Sequence, residues 1–272
     1  MAEKRKNAII TGAASGLGRA LALQLAKERW NIAIVDINEA GAKETLEKVR
    51  QAGGEGRVEI VDVTKYEAWL ALRDRLSRDW ENLDLLVNNA GVAGGGEMGK
   101  YTIEDWHWIV NINLWNGIYG CHVFVDWLKR NPKGAHIINT ASMAAVGSAP
   151  TMAAYNVTKA GMLSLSETLY AELMEHNVGV TVVCPSFFAT NLLTGGRFAD
   201  PKQKEWALVM FQNAGFTADD VAHAALDAMR KKKLYVMVPF ASKVQWWYKR
   251  LAPASFLRYV ARMFKKMSQQ AA

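Results

Sequence analysis

A tyrosine and a lysine four residues apart are the side chains of this sequence whose spacing is best suited to chemistry. Tyr155 and Lys159 begin a stretch with apolar residues at helical spacing, so both side chains are expected on one helix face. A lysine ammonium one turn away favours the phenolate and is expected to lower the tyrosine pKa from about 10. The phenol could then exchange a proton with an alcohol or a carbonyl near neutral pH.

Ser142 lies between a strand-like apolar run at 135–140 and the tyrosine helix. A loop from strand to helix could return its hydroxyl to the phenol, where it would donate a hydrogen bond to a substrate oxygen. The spacing alone leaves an alternative open, namely a surface helix that merely carries a tyrosine and a lysine.

The first forty residues have the pattern of a phosphate-binding turn. A short apolar run at 7–11 leads through Gly12, Gly16 and Gly18 into a helical stretch, and a second strand-like run ends at Asp36. Glycines permit a tight turn and close backbone approach, and a helix N-terminus attracts a phosphate. A carboxylate after the second strand can accept hydrogen bonds from ribose hydroxyls and repel a 2′-phosphate. The pattern favours a dinucleotide site over a plain turn with a solvated aspartate.

Strand-like and helix-like runs alternate along most of the chain, with strands predicted at 7–11, 31–36, 57–63, 83–88, 135–140, 178–184 and 234–239. This alternation predicts one α/β domain over residues 1–240, a doubly wound parallel sheet of about seven strands with helices on both faces. Residues 190–216 are predicted to be an irregular, lid-like segment with an apolar patch at 206–211. Residues 241–272 are predicted to be a basic amphipathic helical extension.

Charge and composition narrow the function classes. The chain has 272 residues and a net charge of +7, but residues 231–272 hold ten Lys and Arg without an acid, which leaves about −3 for residues 1–230. The domain therefore lacks the general basic surface of a nucleic-acid-binding protein. Two cysteines and five scattered histidines have no metal-ligand spacing, so no metal is predicted. The sequence indicates neither a signal peptide nor a spanning helix, and a cytoplasmic location is expected.

Taken together, six elements resemble the short-chain dehydrogenase/reductase family over residues 7 to about 240. They are Thr11-Gly-x-x-x-Gly-x-Gly18, Asp62-Val63, Asn88-Asn89-Ala90-Gly91, Asn113, Ser142 and Tyr155-x-x-x-Lys159. The resemblance implies a Rossmann-type sheet and a nicotinamide cofactor. It implies that Tyr155 is the general acid and base, and that Lys159 binds the nicotinamide ribose and lowers the tyrosine pKa. By the same resemblance Ser142 orients the reacting oxygen and Asn113 holds a water in a proton relay.

The resemblance also implies a set of cofactor-binding residues: Gly12, Ser15, Gly16, Leu17, Gly18, Asp36, Asp62, Val63, Asn89, Ala90, Gly91, Tyr155, Lys159, Pro185 and Thr190. One position departs from the family pattern, since Ser186 follows Pro185 where a glycine is usual. NADP-binding members usually carry a basic residue where this chain has Ser15 or Ile37. Together with the charge of Asp36, this predicts NAD(H) over NADP(H).

The predicted function is NAD-dependent interconversion of a secondary alcohol and a ketone, with a lipophilic substrate such as a steroid, a retinoid or a long-chain alcohol. Two alternatives stay open: a non-catalytic nucleotide-sensing or membrane-attached interaction protein, and another reaction such as epimerisation or reduction of a carrier-bound acyl group. Family members commonly form dimers or tetramers through their long helices, which correspond here to 101–128 and 152–176. A homodimer or homotetramer is therefore expected.

The extension has an apolar stripe at helical spacing, formed by Phe256, Leu257, Val260, Met263, Phe264 and Met267. Basic residues lie on the opposite side, and Trp246 and Trp247 lie upstream. A basic amphipathic helix with interfacial aromatics suits peripheral contact with an anionic membrane. Packing on its own domain, or on a partner subunit, is the alternative.

Overall fold

The fold is a parallel sheet covered by helices on both faces, and the computed structural model describes it over residues 4–270. The strands are β1 (Asn7–Thr11), β2 (Asn31–Asp36), β3 (Glu55–Ile60), β4 (Leu85–Asn88), β5 (Ala135–Thr140), β6 (Val178–Pro185) and β7 (Tyr235–Val238). Within the described range they pair in the order β3-β2-β1-β4-β5-β6-β7, and every pairing is parallel. The predicted doubly wound sheet is confirmed, although β3 begins and ends a little earlier than predicted.

The helices are α1 (Gly16–Lys27), α2 (Glu39–Gln51), α3 (Tyr66–Asp79), α4 (Ile103–Val110), α5 (Asn116–Lys129), α6 (Ala144–Gly147), α7 (Ala153–Glu172), α8 (Pro201–Gln212), α9 (Ala218–Arg230), α10 (Phe240–Leu251) and α11 (Pro253–Gln270). A π-helical segment, Asn111–Trp115, joins α4 to α5. The two-residue strands Gly94–Gly95 and Arg197–Phe198 pair outside the main sheet.

The period of two along the central strands explains why both faces of the sheet are covered. In β1, Ala8 and Ile10 belong to the core beneath α1 and α9, whereas Ile9 belongs to the core beneath α3, α5 and α7. In β2, Ile32 and Ile34 face the first of these cores and Ala33 and Val35 the second. Strands buried on both faces are typical of parallel α/β sheets. Because the strand order reverses beside β1, the loops after β1 and β4 separate and leave a crevice.

The segment after β6 was wrongly predicted to be irregular. Residues 201–212 form α8, whose first turn is capped by Asp200 accepting a hydrogen bond from the Lys202 N–H at 2.9 Å. Proline at the first helical position supports this start, because it needs no hydrogen-bond donor there. The pair Asp200-Pro201 therefore signals a helix start. The consecutive apolar residues that follow it show no clear helical spacing, so the helix was not predicted.

The extension folds into two helices that pack on the domain. Trp246 of α10 contacts Tyr235 of β7 at a ring-centroid distance of 5.1 Å, and Lys249 donates a hydrogen bond to the Val146 carbonyl at 2.6 Å. Phe256 of α11 is 1% exposed. This residue of the apolar stripe is therefore buried, and its ring contacts that of Tyr248 of α10 at a centroid distance of 5.5 Å, while the side chain of Met267 lies outside the described part.

Two further features concern the described residues alone. No helix within residues 4–270 is both long and apolar enough to cross a lipid bilayer. In the same range, no cluster of three or more His, Cys, Asp or Glu side chains has a geometry that could hold a metal ion.

Candidate active site

A cavity of about 1340 Å³ lies at the carboxyl ends of strands β1 to β6. Its volume exceeds the 300–1,000 Å³ or so of a typical small-ligand pocket. Fifteen of the predicted site residues line it: Gly12, Ser15, Gly16, Leu17, Asp36, Asp62, Val63, Asn89, Ala90, Gly91, Ser142, Tyr155, Lys159, Pro185 and Thr190. Gly18 and Asn113 do not line it. The topology therefore brings together residues that are up to 178 positions apart in the chain.

The glycine loop is shaped by close backbone approach. Gly12 has a φ of +64°, and a Cβ added to it would lie 2.9 Å from the Ala90 Cα. Gly16 has a φ of +51°, and a Cβ there would lie 2.8 Å from the Thr190 hydroxyl. A Cβ on Gly18 would collide with the Gly12 carbonyl, so this glycine serves the packing of the loop. The open cradle at the N-terminus of α1 suits a pyrophosphate group.

The end of the cavity beside β2 is acidic. Both carboxylate oxygens of Asp36 accept backbone hydrogen bonds at 2.9 Å, one from the Ala14 N–H and one from the Asn38 N–H. The carboxylate is therefore held in a fixed orientation. Among the described residues that line the cavity, the lysine and arginine side chains are Lys159 in α7 and Lys202 in α8, and neither follows β2.

Strand β5 and helix α7 supply the candidate catalytic side chains. Tyr155 and Lys159 project from the first two turns of α7 and are both buried. The Lys159 Nζ donates a hydrogen bond to the Thr140 carbonyl at 3.0 Å and lies 5.7 Å from the centre of the Tyr155 ring. Ser142 follows β5, and its Oγ accepts a hydrogen bond from the Ala144 N–H at 3.1 Å.

Burial dominates the electrostatics of this group. It raises the pKa of Tyr155 to about 12, and a hydrogen bond with Ser142 opposes the rise. Burial also lowers the pKa of Lys159 to about 8. The direction for the tyrosine is opposite to the one predicted from the lysine spacing. Removing water destabilises the phenolate, and this burial is the largest cause of the shift.

Two asparagines of the α4–α5 region hold the loop after β4. Asn113 lies in the π-helical segment, where its Oδ1 accepts from the Val92 N–H at 2.8 Å and its Nδ2 donates to the Val92 carbonyl at 2.9 Å. Asn116 donates from its Nδ2 to the Ala90 carbonyl at 2.8 Å. Both buried amides therefore fix the backbone next to Gly91, and the relay role implied for Asn113 stays a prediction.

Ser186 fits its position without the conformational freedom of a glycine. Its backbone does not adopt a positive φ, and its N–H donates to the Val238 carbonyl at 2.8 Å. The preceding carbonyl, that of Pro185, accepts from the Met143 N–H at 2.9 Å. The departure from the usual glycine therefore leaves the chain between β6 and the cavity unstrained.

An aromatic cluster that the sequence did not identify lines the far side of the cavity. Phe187, just after β6, contacts Trp206 and Phe211 of α8 at ring-centroid distances of 6.0 and 5.3 Å. Trp206 in turn contacts Phe264 of α11 at 5.6 Å. All four rings line the cavity. The apolar patch at 206–211 and the stripe of the extension were both visible in the sequence, but nothing in their spacing indicated that they meet.

Comparison with known proteins agrees with this architecture. The probable oxidoreductase EphD of Mycobacterium tuberculosis is 34% identical over 232 residues, which cover 82% of this chain and 39% of that protein. The chain thus spans about two fifths of the length of that relative. 3Beta-hydroxysteroid dehydrogenase 1 of Eggerthella lenta is 32% identical over 203 residues, which cover 74% of this chain and 77% of that protein.

Solved structures share the fold. A short-chain dehydrogenase/reductase from Burkholderia phymatum in complex with NAD superposes with a TM-score of 0.86 at 28% identity and covers 92% of this chain and 95% of that chain. A short-chain dehydrogenase from Sphingobium yanoikuyae in complex with NADPH gives a TM-score of 0.78 at 22% identity and covers 93% and 95%. The family model for short chain dehydrogenases matches residues 6–199. This match shows that the chain belongs to the short-chain dehydrogenase/reductase family of oxidoreductases, and the glycine loop and the cavity agree with it.

Proposed function

We propose that the protein is an NAD(H)-dependent oxidoreductase that interconverts a secondary alcohol and a ketone. The observation that carries the proposal is that Ser142, Tyr155 and Lys159 line the same cavity as the glycine loop. A substrate oxygen held by Ser142 and Tyr155 would therefore share one enclosed space with a dinucleotide. Asn113 completes the proposed catalytic set by fixing the loop that borders this space.

The residues present fit a nicotinamide dinucleotide. The open cradle at Gly12 and Gly16 suits the pyrophosphate, and the fixed carboxylate of Asp36 suits ribose hydroxyls. When bound, the nicotinamide would supply the hydride acceptor or donor. The other predicted cofactor residues would surround it at the ends of β3 to β6.

The chain itself would handle the proton. In ketone reduction, the Tyr155 hydroxyl donates a proton to the substrate oxygen, while Ser142 donates a hydrogen bond that orients it. In alcohol oxidation, the proton moves from the alcohol to the Tyr155 oxygen. Lys159, with a pKa of about 8, carries its charge at neutral pH and favours the phenolate that this direction requires.

NAD is the proposed cofactor rather than NADP. A 2′-phosphate would lie beside the Asp36 carboxylate, and no described lysine or arginine that lines the cavity follows β2 to compensate. Like charges at such short range are unfavourable. The NAD complex of the Burkholderia phymatum relative supports this choice.

The proposed substrate is large and apolar, of the class of steroids, retinoids or long-chain alcohols. The aromatic cluster of Phe187, Trp206, Phe211 and Phe264 supports this, since aromatic side chains bind apolar surface well. α11 adds aliphatic lining through Val260 and Met263. The hydroxysteroid dehydrogenase of Eggerthella lenta gives further support.

Location and assembly are also proposed. We expect a cytoplasmic enzyme of residues 1–240 whose extension, 241–272, makes peripheral membrane contact. A homodimer or homotetramer would form through the α4–α5 and α7 helices, where Trp115 and Val157 are exposed. No nucleic-acid partner is proposed.

A substrate panel tests the proposal. Purified protein would be given NAD or NADP with short alcohols, long-chain secondary alcohols and hydroxysteroids, and formation of the reduced cofactor would be followed by absorbance. NAD-linked turnover of the larger apolar alcohols is expected. NAD binding by calorimetry without any turnover would favour the nucleotide-sensing alternative. Turnover confined to carrier-linked acyl groups with NADPH would favour the acyl reductase.

A further inference from the structure

The outer side of α10 carries an exposed apolar stripe that is distinct from the stripe of α11. Phe240, Val244, Trp247 and Leu251 follow the spacing i, i+4, i+7, i+11, and they are 77%, 56%, 48% and 80% exposed. Side chains at this spacing share one helix face. A continuous exposed apolar stripe along the outer face of a helix indicates a binding surface.

The surroundings of the stripe are basic. Residues 231–272 contain ten Lys and Arg and no Asp or Glu. Lys243 is exposed on α10, and Arg258 and Arg262 are exposed on α11. The patch therefore combines apolar side chains, a tryptophan and positive charge, which is the combination that binds the headgroup region of an anionic bilayer.

We propose that the outer face of α10 docks on an anionic membrane surface. This surface differs from the α11 stripe that the sequence suggested, because Phe256 of that stripe is buried and Phe264 packs on Trp206 of α8. A helix lying in the interface buries one apolar face and keeps its basic residues near the headgroups. α10 meets this requirement with the four residues of its stripe.

The helix that carries the docking face also borders the candidate active site. Gln245 of α10 lines the cavity, as do Tyr259 and Met263 of α11, which are 44% and 42% exposed. Docking would therefore hold this border of the cavity close to the bilayer. An apolar alcohol dissolved in the membrane could then reach the cavity without crossing water, a consequence that rests on the proposed function.

Vesicle co-sedimentation of the full chain tests the docking surface. Vesicles of phosphatidylcholine, with or without phosphatidylserine, would be mixed with wild type and with a variant carrying Phe240→Ser, Val244→Ser, Trp247→Ser and Leu251→Ser. Because these side chains are exposed, the variant should keep its melting temperature. Binding of wild type to the anionic vesicles and a loss of at least tenfold in the variant are expected.

A matched control removes four exposed apolar side chains elsewhere: Ile60→Ser, Met98→Ser, Ile103→Ser and Met174→Ser. This control should bind vesicles like wild type. Replacing Lys243, Arg258 and Arg262 by glutamine should weaken binding to the anionic vesicles about fivefold for each charge removed. Added salt should also weaken this binding, because it screens the charges.

Three outcomes would overturn the proposal. They are failure of wild type to bind anionic vesicles, equal binding by the stripe variant, and equal loss in the matched control. A further result would assign the face to a second copy of the chain. In that case wild type is dimeric in light scattering and does not bind vesicles, whereas the stripe variant is monomeric. NAD-linked turnover of a short soluble alcohol is measured separately, so failure of docking and failure of the proposed activity are distinguishable.

Discussion

The glycine-loop and Tyr155 region differs from the α10–α11 region in what fixes its side chains. In the first region the strands and their loops determine the geometry: Lys159 is bonded to the last carbonyl of β5, and Asn113 and Asn116 are bonded to the backbone after β4. In the second region aromatic contacts between side chains hold the helices, as in the pairs Trp206–Phe264 and Tyr248–Phe256, beside the bond from Lys249 to the backbone of α6. Backbone pairing follows from sequence pattern, whereas contacts between distant apolar faces do not.

The difference has a consequence for function. Residues tied to backbone through hydrogen bonds have one orientation, which suits proton transfer. An aromatic surface without such ties can accept apolar ligands of different shapes, which suits a broad lipophilic substrate class. The molecule would thus separate its chemistry from its choice of substrate.

The largest expected effect comes from removing the Tyr155 hydroxyl. Tyr155→Phe should lower kcat by about 10²–10⁴-fold, the usual contribution of a general acid or base. Tyr101→Phe is the matched control, since Tyr101 is also a buried tyrosine with its pKa raised to about 12 by burial, but it does not line the cavity. Equal losses in the two variants, measured by NADH formation, would remove Tyr155 from the proposed mechanism.

The next effect concerns the acidic end of the cavity. Asp36→Asn combined with Ile37→Arg should raise the ratio of kcat/KM for NADP to that for NAD about a hundredfold, because a repulsive carboxylate is replaced by an attractive guanidinium. Asp36→Asn alone separates loss of charge from gain of charge. Glu39→Gln, on the neighbouring helix, should leave the ratio unchanged. If the kcat/KM of wild type were equal for NADP and NAD, the argument from Asp36 would be wrong.

A buried histidine in strand β5 should make stability depend on pH. The Thr181 hydroxyl donates to the Lys233 carbonyl at 2.8 Å, so the His136 Nε2, also 2.8 Å away, must donate to Thr181. Burial, aided by the charge of Lys232, lowers the pKa of His136 to about 4. The unfolded chain therefore binds the additional proton first as pH falls below 6.5.

Between pH 6.5 and 4 the fold should lose stability, by about 2 kcal/mol at pH 5 from this residue. Urea unfolding at several pH values measures this loss. His136→Gln should be less stable than wild type at pH 7 but should show a flatter pH profile. An unchanged slope in the variant would mean that other groups cause the acid sensitivity.

The smallest expected effect tests the second region. Phe264→Ala should lower kcat/KM for a hydroxysteroid about tenfold, since it removes apolar surface from the cavity, while a short alcohol is turned over as before. Leu257→Ala, an exposed position on α11 that does not line the cavity, is the control. A loss of the same size for the short alcohol would indicate damage to the fold instead.

The sequence predicted the sheet and the glycine loop that lines the cavity well, and the reason is physical. The period of two in β1 and β2 and the glycines at 12, 16 and 18 are local signals whose outcome depends little on distant residues. The strand order then brings the loops together. The roles of the site residues stay predictions that the experiments above test.

One prediction failed, and one choice between alternatives stayed open, for reasons that lie outside local pattern. The pKa of Tyr155 depends on how much water burial removes, and the lysine spacing gives no measure of that. The amphipathic stripe of α11 correctly indicated an apolar face, but amphipathicity does not specify the partner of that face. Here the partner includes Trp206 of α8, in a segment predicted to be irregular.

The most direct test of the account is the dependence of kcat/KM on chain length for NAD-linked oxidation of a series of straight-chain 2-alkanols. Each methylene buried in an apolar site contributes about 0.8 kcal/mol, so kcat/KM should rise up to about fourfold per carbon until the cavity is filled. Phe264→Ala should reduce this slope, and Tyr155→Phe should lower kcat by about 10²–10⁴-fold for every member of the series. A flat or falling series, or no NAD-linked turnover by a protein that binds NAD, would contradict the account.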